Sequence, residues 1–99
     1  MPGTYIFIYG ERPLDLGLDE LEGRIQDAVA PFGEVTGTGS GDAGWNLDVD
    51  LESTEPINHV LHAISRVLVD AMPHTDRDSV SLDVGGVKMP LKQVQDSLK

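Results

Sequence analysis

The chain has no cysteine, which removes both a disulfide framework and a thiolate metal site from consideration. Positive charge is scarce too: seven lysines and arginines stand against seventeen aspartates and glutamates, for a formal net charge of -10. The shortage is concentrated in residues 1–87, where sixteen acids face four arginines, whereas residues 88–99 carry Lys88, Lys92 and Lys99 against Asp96 alone. A body of that charge repels a phosphate backbone, so nucleic-acid binding is disfavoured as the primary role and a basic protein partner is favoured. The same acidity also suits a domain that is merely soluble and monomeric. No long apolar run is present, so neither a membrane span nor a signal peptide is expected, and the cytoplasm is the expected location. Repeats, linkers and low-complexity tracts are also missing. A length of 99 residues suits one domain with a single core, and is too short for separate cofactor and substrate domains.

What is present reads as alternating strands and helices. Thr4 to Tyr9 is a β-branched and aromatic run ended by Gly10, with Ile6 and Ile8 on one side and Tyr5, Phe7 and Tyr9 on the other. Leu18, Leu21, Ile25, Ala28 and Val29 recur at helical spacing, with an Asp19 to Glu22 capping arrangement at the start and Pro31 and Gly33 near the end. Val35 to Thr38 forms a second strand. The glycine-rich stretch that follows, with Gly37, Gly39, Gly41, Asp42 and Gly44, reads as a mobile hairpin loop. Trp45 to Leu51 is the strongest strand: Trp45, Leu47, Val49 and Leu51 alternate with Asn46, Asp48, Asp50 and Glu52.

Ile57, Val60, Leu61, Ile64, Leu68 and Ala71 make one stripe of a second helix, capped by Ser53 or Thr54, with Pro56 in its first turn and Pro73 beyond its end. Ser79 to Val84 alternates again, and Gly85-Gly86 turns it into Val87 to Leu91. Leu91 to Lys99 either forms a short helix through Leu91, Val94 and Leu98 or frays. The order predicts an α+β fold, a ferredoxin-like βαββαβ two-layer sandwich. Its antiparallel sheet has the order 4-1-3-2, two helices cover one face, and a short fifth strand completes a C-terminal hairpin. The domain spans 1–99, with its core at about 4–91 and a tail at 92–99.

That topology leaves one sheet face open. Tyr5, Phe7 and Tyr9 should lie there beside Asn46, Asp48, Asp50 and Glu52, with Ser81 and Asp83 near by. Aromatics on central strands stack bases in RNA-recognition modules, but there the surroundings are basic, and here they are acidic. The face suits a basic protein partner instead, with aromatic anchors and carboxylate steering. A second copy of the sheet, covering the aromatics in a homodimer, is the competing reading.

Other motifs carry less. Residues 39–44 match G-x-G-x-x-G, but a dinucleotide site needs a helix after the glycines, and a strand follows here. Asp48-Val49-Asp50 lacks the cation, the lysine and the larger fold that phosphate-transferring aspartate pairs need. His59 and His62 are three apart on the second helix, opposite its apolar stripe, and lack a third ligand, as does His74 beside Asp76 and Asp78. No catalytic residue, metal site or cofactor is assigned, and the balance leans away from an enzyme.

The plan over about residues 4–84, an acidic chain with a glycine hairpin before the acidic strand Trp45 to Leu51 and a proline-containing loop before the last strands, resembles small bacterial immunity-type proteins and uncharacterised ferredoxin-like proteins encoded beside secreted toxins. The resemblance implies a stoichiometric inhibitor that covers a toxin's active or substrate-binding surface, with Asp48, Asp50 and Glu52 standing in for phosphate. Two alternatives stay open. One is a dimeric ligand-sensing or regulatory domain, with Glu11 and Arg12 holding an amino acid near Gly10 to Leu16. The other is a small enzyme with its site at a subunit interface.

Overall fold

The computed structural model describes residues 4–11, 17–30, 32–41, 44–52, 57–71 and 79–97, with side chains through 94. The strands are β1 (Thr4–Gly10), β2 (Gly33–Gly41), β3 (Gly44–Leu51), β4 (Val80–Val84) and β5 (Val87–Pro90). The helices are α1 (Leu18–Val29), α2 (Ile57–Ala71) and α3 (Leu91–Ser97). The fold is α+β, with one five-stranded antiparallel sheet in the order β2-β3-β1-β4-β5. This differs from the expected four-strand order 4-1-3-2 in that β4 is interior. Gly85 and Gly86 both adopt positive φ, 58° and 98°, and fold β5 back along the outer side of β4, the two-residue turn that a Gly-Gly pair favours. A third helix, α3, follows β5 directly and buries Leu91 and Val94.

The alternation in β1 and β3 decides which face is covered. Ile6 pairs with Val49 and Ile8 with Leu47, and across β4 they meet Val84 and Leu82. These residues form one core cluster with Leu21, Ile25 and Val29 of α1 and with Val60, Leu61, Ile64 and Leu68 of α2. The helices therefore lie on the face of the even-numbered β1 residues. Each fully buried leucine, isoleucine or valine there contributes about 1.5–3 kcal/mol from leaving water, so the helical stripes and the sheet's inner row hold each other in place.

Two local expectations are corrected. Helix α1 starts without the Asp19 to Glu22 capping arrangement: its N-cap is Gly17, which makes no side-chain cap, and whose carbonyl accepts from the amides of Glu20 and Leu21. The described glycines of the glycine-rich stretch lie in strands. Gly37, Gly39 and Gly41 belong to β2 and Gly44 opens β3, paired as Gly37 with Asp48, Gly39 with Asn46 and Gly41 with Gly44. Strand pairing uses only backbone groups, so side chains are not required for it. Asp42, Arg12, His74 and the Ser53 or Thr54 cap fall outside the described residues. Among the described residues no helix is long and apolar enough to cross a membrane.

Candidate functional site

The odd-numbered side chains of β1 stand on the face away from the helices. Tyr5 and Phe7 stack with ring centroids 4.4 Å apart, and Phe7 meets Tyr9 edge-on at 6.3 Å. The three rings form a ladder along the central strand. Cross-strand pairing then fixes its neighbours. On β3, Asp50 lies opposite Tyr5, Asp48 opposite Phe7 and Asn46 opposite Tyr9. On β4, Asp83 lies opposite Phe7 and Ser81 opposite Tyr9. The expected residues Tyr5, Phe7, Tyr9, Asn46, Asp48, Asp50 and Asp83 are thus brought together on one face. Glu52 is the exception: β3 ends at Leu51, and Glu52 sits in a bend where its amide donates to the Phe32 carbonyl at 3.1 Å. The carboxylate row on the strand is therefore two residues long, not three.

A bulge in β2 shapes one flank of the face. Glu34 pairs with Asp50 and Val35 with Val49, then the register shifts between Val35 and Gly37, so that Gly37 pairs with Asp48 and Gly39 with Asn46. Adding one residue swaps which side chains point outward. The open face consequently receives glycines beyond the bulge, while Thr38 and Ser40 pair with Leu47 and Trp45 of the inner row. This bare flank lets the β3 side chains lie toward β2: a Cβ on Gly37 would sit 3.1 Å from Asp48 Oδ2, and one on Gly39 2.7 Å from Asn46 Oδ1. Asn46 Nδ2 in turn donates to Asp48 Oδ1 at 3.3 Å, which holds the two side chains together.

Two face residues escaped the sequence reading. Glu34 faces outward opposite Asp50; no sequence signal marks it, because the second strand was expected to begin at Val35. Lys88 pairs with Asp83 in register and places its Nζ 5.6 Å from the Tyr9 ring centroid, a cation–π distance. Its alternation with Met89 in β5 was the available signal. Among the described residues Lys88 is the one cation on this face, since Arg24, Arg66 and Lys92 belong to the helices. Beyond Tyr9 the face ends in an open cleft of about 530 Å³, lined by Glu11, Gly39, Asn46, Ser81 and Lys88 among others.

His59 and His62 take no part. His59 and His62 are exposed on α2, and the His59 ring meets Phe32 edge-on at 5.5 Å. Among the described residues no three histidines, aspartates or glutamates are grouped to hold a metal ion. The face offers aromatic contact area and hydrogen-bond acceptors, with Asp48 and Asp50 on the β3 side and, on the β4 side, Asp83, which pairs with Lys88 and accepts from the Gly86 amide at 2.9 Å. No protein-family model, no curated protein and no solved structure matches this chain; the resemblance to immunity-type proteins rests on the residue pattern alone.

Proposed function

We propose that the chain is an acidic protein-binding module of ferredoxin-like plan, acting in the cytoplasm, whose open sheet face takes the basic surface of a partner protein. An immunity-type inhibitor covering a toxin or enzyme is the fitting class. The observation that carries the reading is the half-exposed ladder Tyr5, Phe7 and Tyr9 with Asp48 and Asp50 on one side and Asp83 on the other. Aromatic anchors at the centre of an interface supply most of its affinity, and carboxylates around them set association rate and specificity.

A homodimer through the same face is the weaker reading. Two copies packed sheet to sheet bring Asp48, Asp50, Asp83 and Glu34 of each toward the same carboxylates of the other, with one lysine per copy to offset them. Such like-charge juxtaposition costs several kcal/mol when desolvated. A basic partner turns the same charges into attraction.

The test begins with a displayed library of genomic protein fragments selected against the full chain. Enriched binders are expected to be basic. Phe7→Ala should weaken their binding tenfold or more, about 1.4 kcal/mol or above. The variant carrying Asp48→Asn, Asp50→Asn and Asp83→Asn should both weaken binding and flatten its salt dependence. Binders indifferent to both variants contradict the proposal.

A further inference from the structure

We infer that the segment of the partner seated on this face is an amphipathic helix with basic residues on both shoulders, lying along β1. The inference rests on the reading of the face as a protein-binding surface and names what that surface holds. Sheets are covered by helices laid roughly along their strands, as α1 and α2 cover the other face of this one. The ring-bearing strand β1 is paired on both edges, to β3 and β4, so an added strand has nothing to pair with beside the rings. Its apolar content is a single row, the three rings of β1, which suits one helical stripe.

Dimensions and charge both fit a helix. The β3 and β4 strands flank β1 on either side, and two strand spacings put the Asp48–Asp50 row of β3 about 10 Å from the single Asp83 of β4, which also accepts from the Gly86 amide at 2.9 Å, a separation close to the diameter of a helix with its side chains. A helix whose stripe meets the rings therefore presents its shoulders to Asp48 and Asp50 on one side and to Asp83 on the other. From Tyr5 to Tyr9 the strand advances about 14 Å, roughly nine helical residues. A second copy of the chain brings acidic rows to acidic rows, and a lysine- or arginine-shouldered helix brings opposite charges.

The face is also polar along its length. Glu34 and Asp50 stand at the Tyr5 end, while at the other end Lys88 stands over Tyr9 with Glu11 across the cleft, so the Tyr5 end is the more negative of the two. Negative charge suits a helix N-terminus and positive charge a helix C-terminus. The bound helix therefore runs from Tyr5 toward Tyr9, parallel to β1.

The experiment uses the full chain and a synthetic peptide of about 18 residues, long enough to fold on contact, with one leucine stripe and lysines on both shoulders. A scrambled peptide of the same composition is the control. The expected result is that the patterned peptide shifts the aromatic resonances of Tyr5, Phe7 and Tyr9 and gains helicity on binding, while the scrambled one does neither. Asp48→Asn, Asp50→Asn and Asp83→Asn, each confirmed folded by circular dichroism, should each weaken it by about two- to fivefold. A spin label at the peptide's N-terminus should broaden Tyr5 more than Tyr9; the reverse overturns the assigned direction. Equal binding of the scrambled peptide, or binding without helicity, overturns the helix. If a basic protein from the library moves the three ring resonances while the patterned peptide does not, the helix falls and the binding face stands; if neither moves them, both fall.

Discussion

Gly10 and Gly44 show how narrowly single positions support the binding face. A Cβ on Gly10 runs into the indole of Trp45, which is 6% exposed and belongs to the inner row. Gly44 has φ 138°, a conformation that side chains oppose, and a Cβ there meets the Gly10 carbonyl. The two glycines thus let the end of β1 and the start of β3 close over the indole. Gly10→Ala forces Trp45 to shift, and overpacking of that kind costs about 1–3 kcal/mol; thermal unfolding of the variant should show a melting temperature lowered by several degrees. Trp45 itself was legible as an inward residue because the strand Trp45 to Leu51 alternates without a break. The need for glycine opposite it was not, since nothing in the sequence says which residue of β1 will face the ring.

Among the elements, β2 departs most from its sequence pattern. Its strand signal is carried by Val35, Thr36 and Thr38, and disappears where glycine recurs at Gly37, Gly39 and Gly41. A strand built on backbone pairing with β3 leaves no side-chain trace there, so its second half read as loop. The bulge was equally hidden, because it is a property of the β2–β3 pairing and not of either segment alone. By contrast β1, α2 and β4 were readable from periodicity, since each places an unbroken apolar row against the core. Helix α1 ties down the start of β2: Val35, paired with Val49 through its other side, donates its amide to Gln26 Oε1 at 2.9 Å. Gln26→Ala leaves that part-buried donor unsatisfied, at a cost of about 1–3 kcal/mol. Hydrogen exchange at the Val35 amide should accelerate in the variant, and an unchanged rate there contradicts the role given to Gln26.

At the scale of the whole molecule, charge is the dominant feature. Seventeen acids against seven bases make self-repulsion a net destabilising effect, and salt screens it, the Debye length falling from about 30 Å at 0.01 M to about 8 Å at 0.15 M. The isolated chain should therefore melt a few degrees higher at the greater ionic strength. Its affinity for a basic partner should change in the opposite sense, falling as salt rises. A chain whose melting temperature falls with added salt would instead be held by attractive pairs, which the exposed Glu20–Arg24 contact at 3.5 Å is too weak to supply.

The central claim is that the Tyr5, Phe7 and Tyr9 face meets the partner. It is tested most directly by following the aromatic resonances of the full chain as a selected basic protein is added. The account predicts that Tyr5, Phe7 and Tyr9 shift together, and that Phe32 and His59, which contact each other beside α2, stay in place. Shifts confined to Phe32 and His59, with the three rings unmoved, would put the binding surface elsewhere and contradict the account.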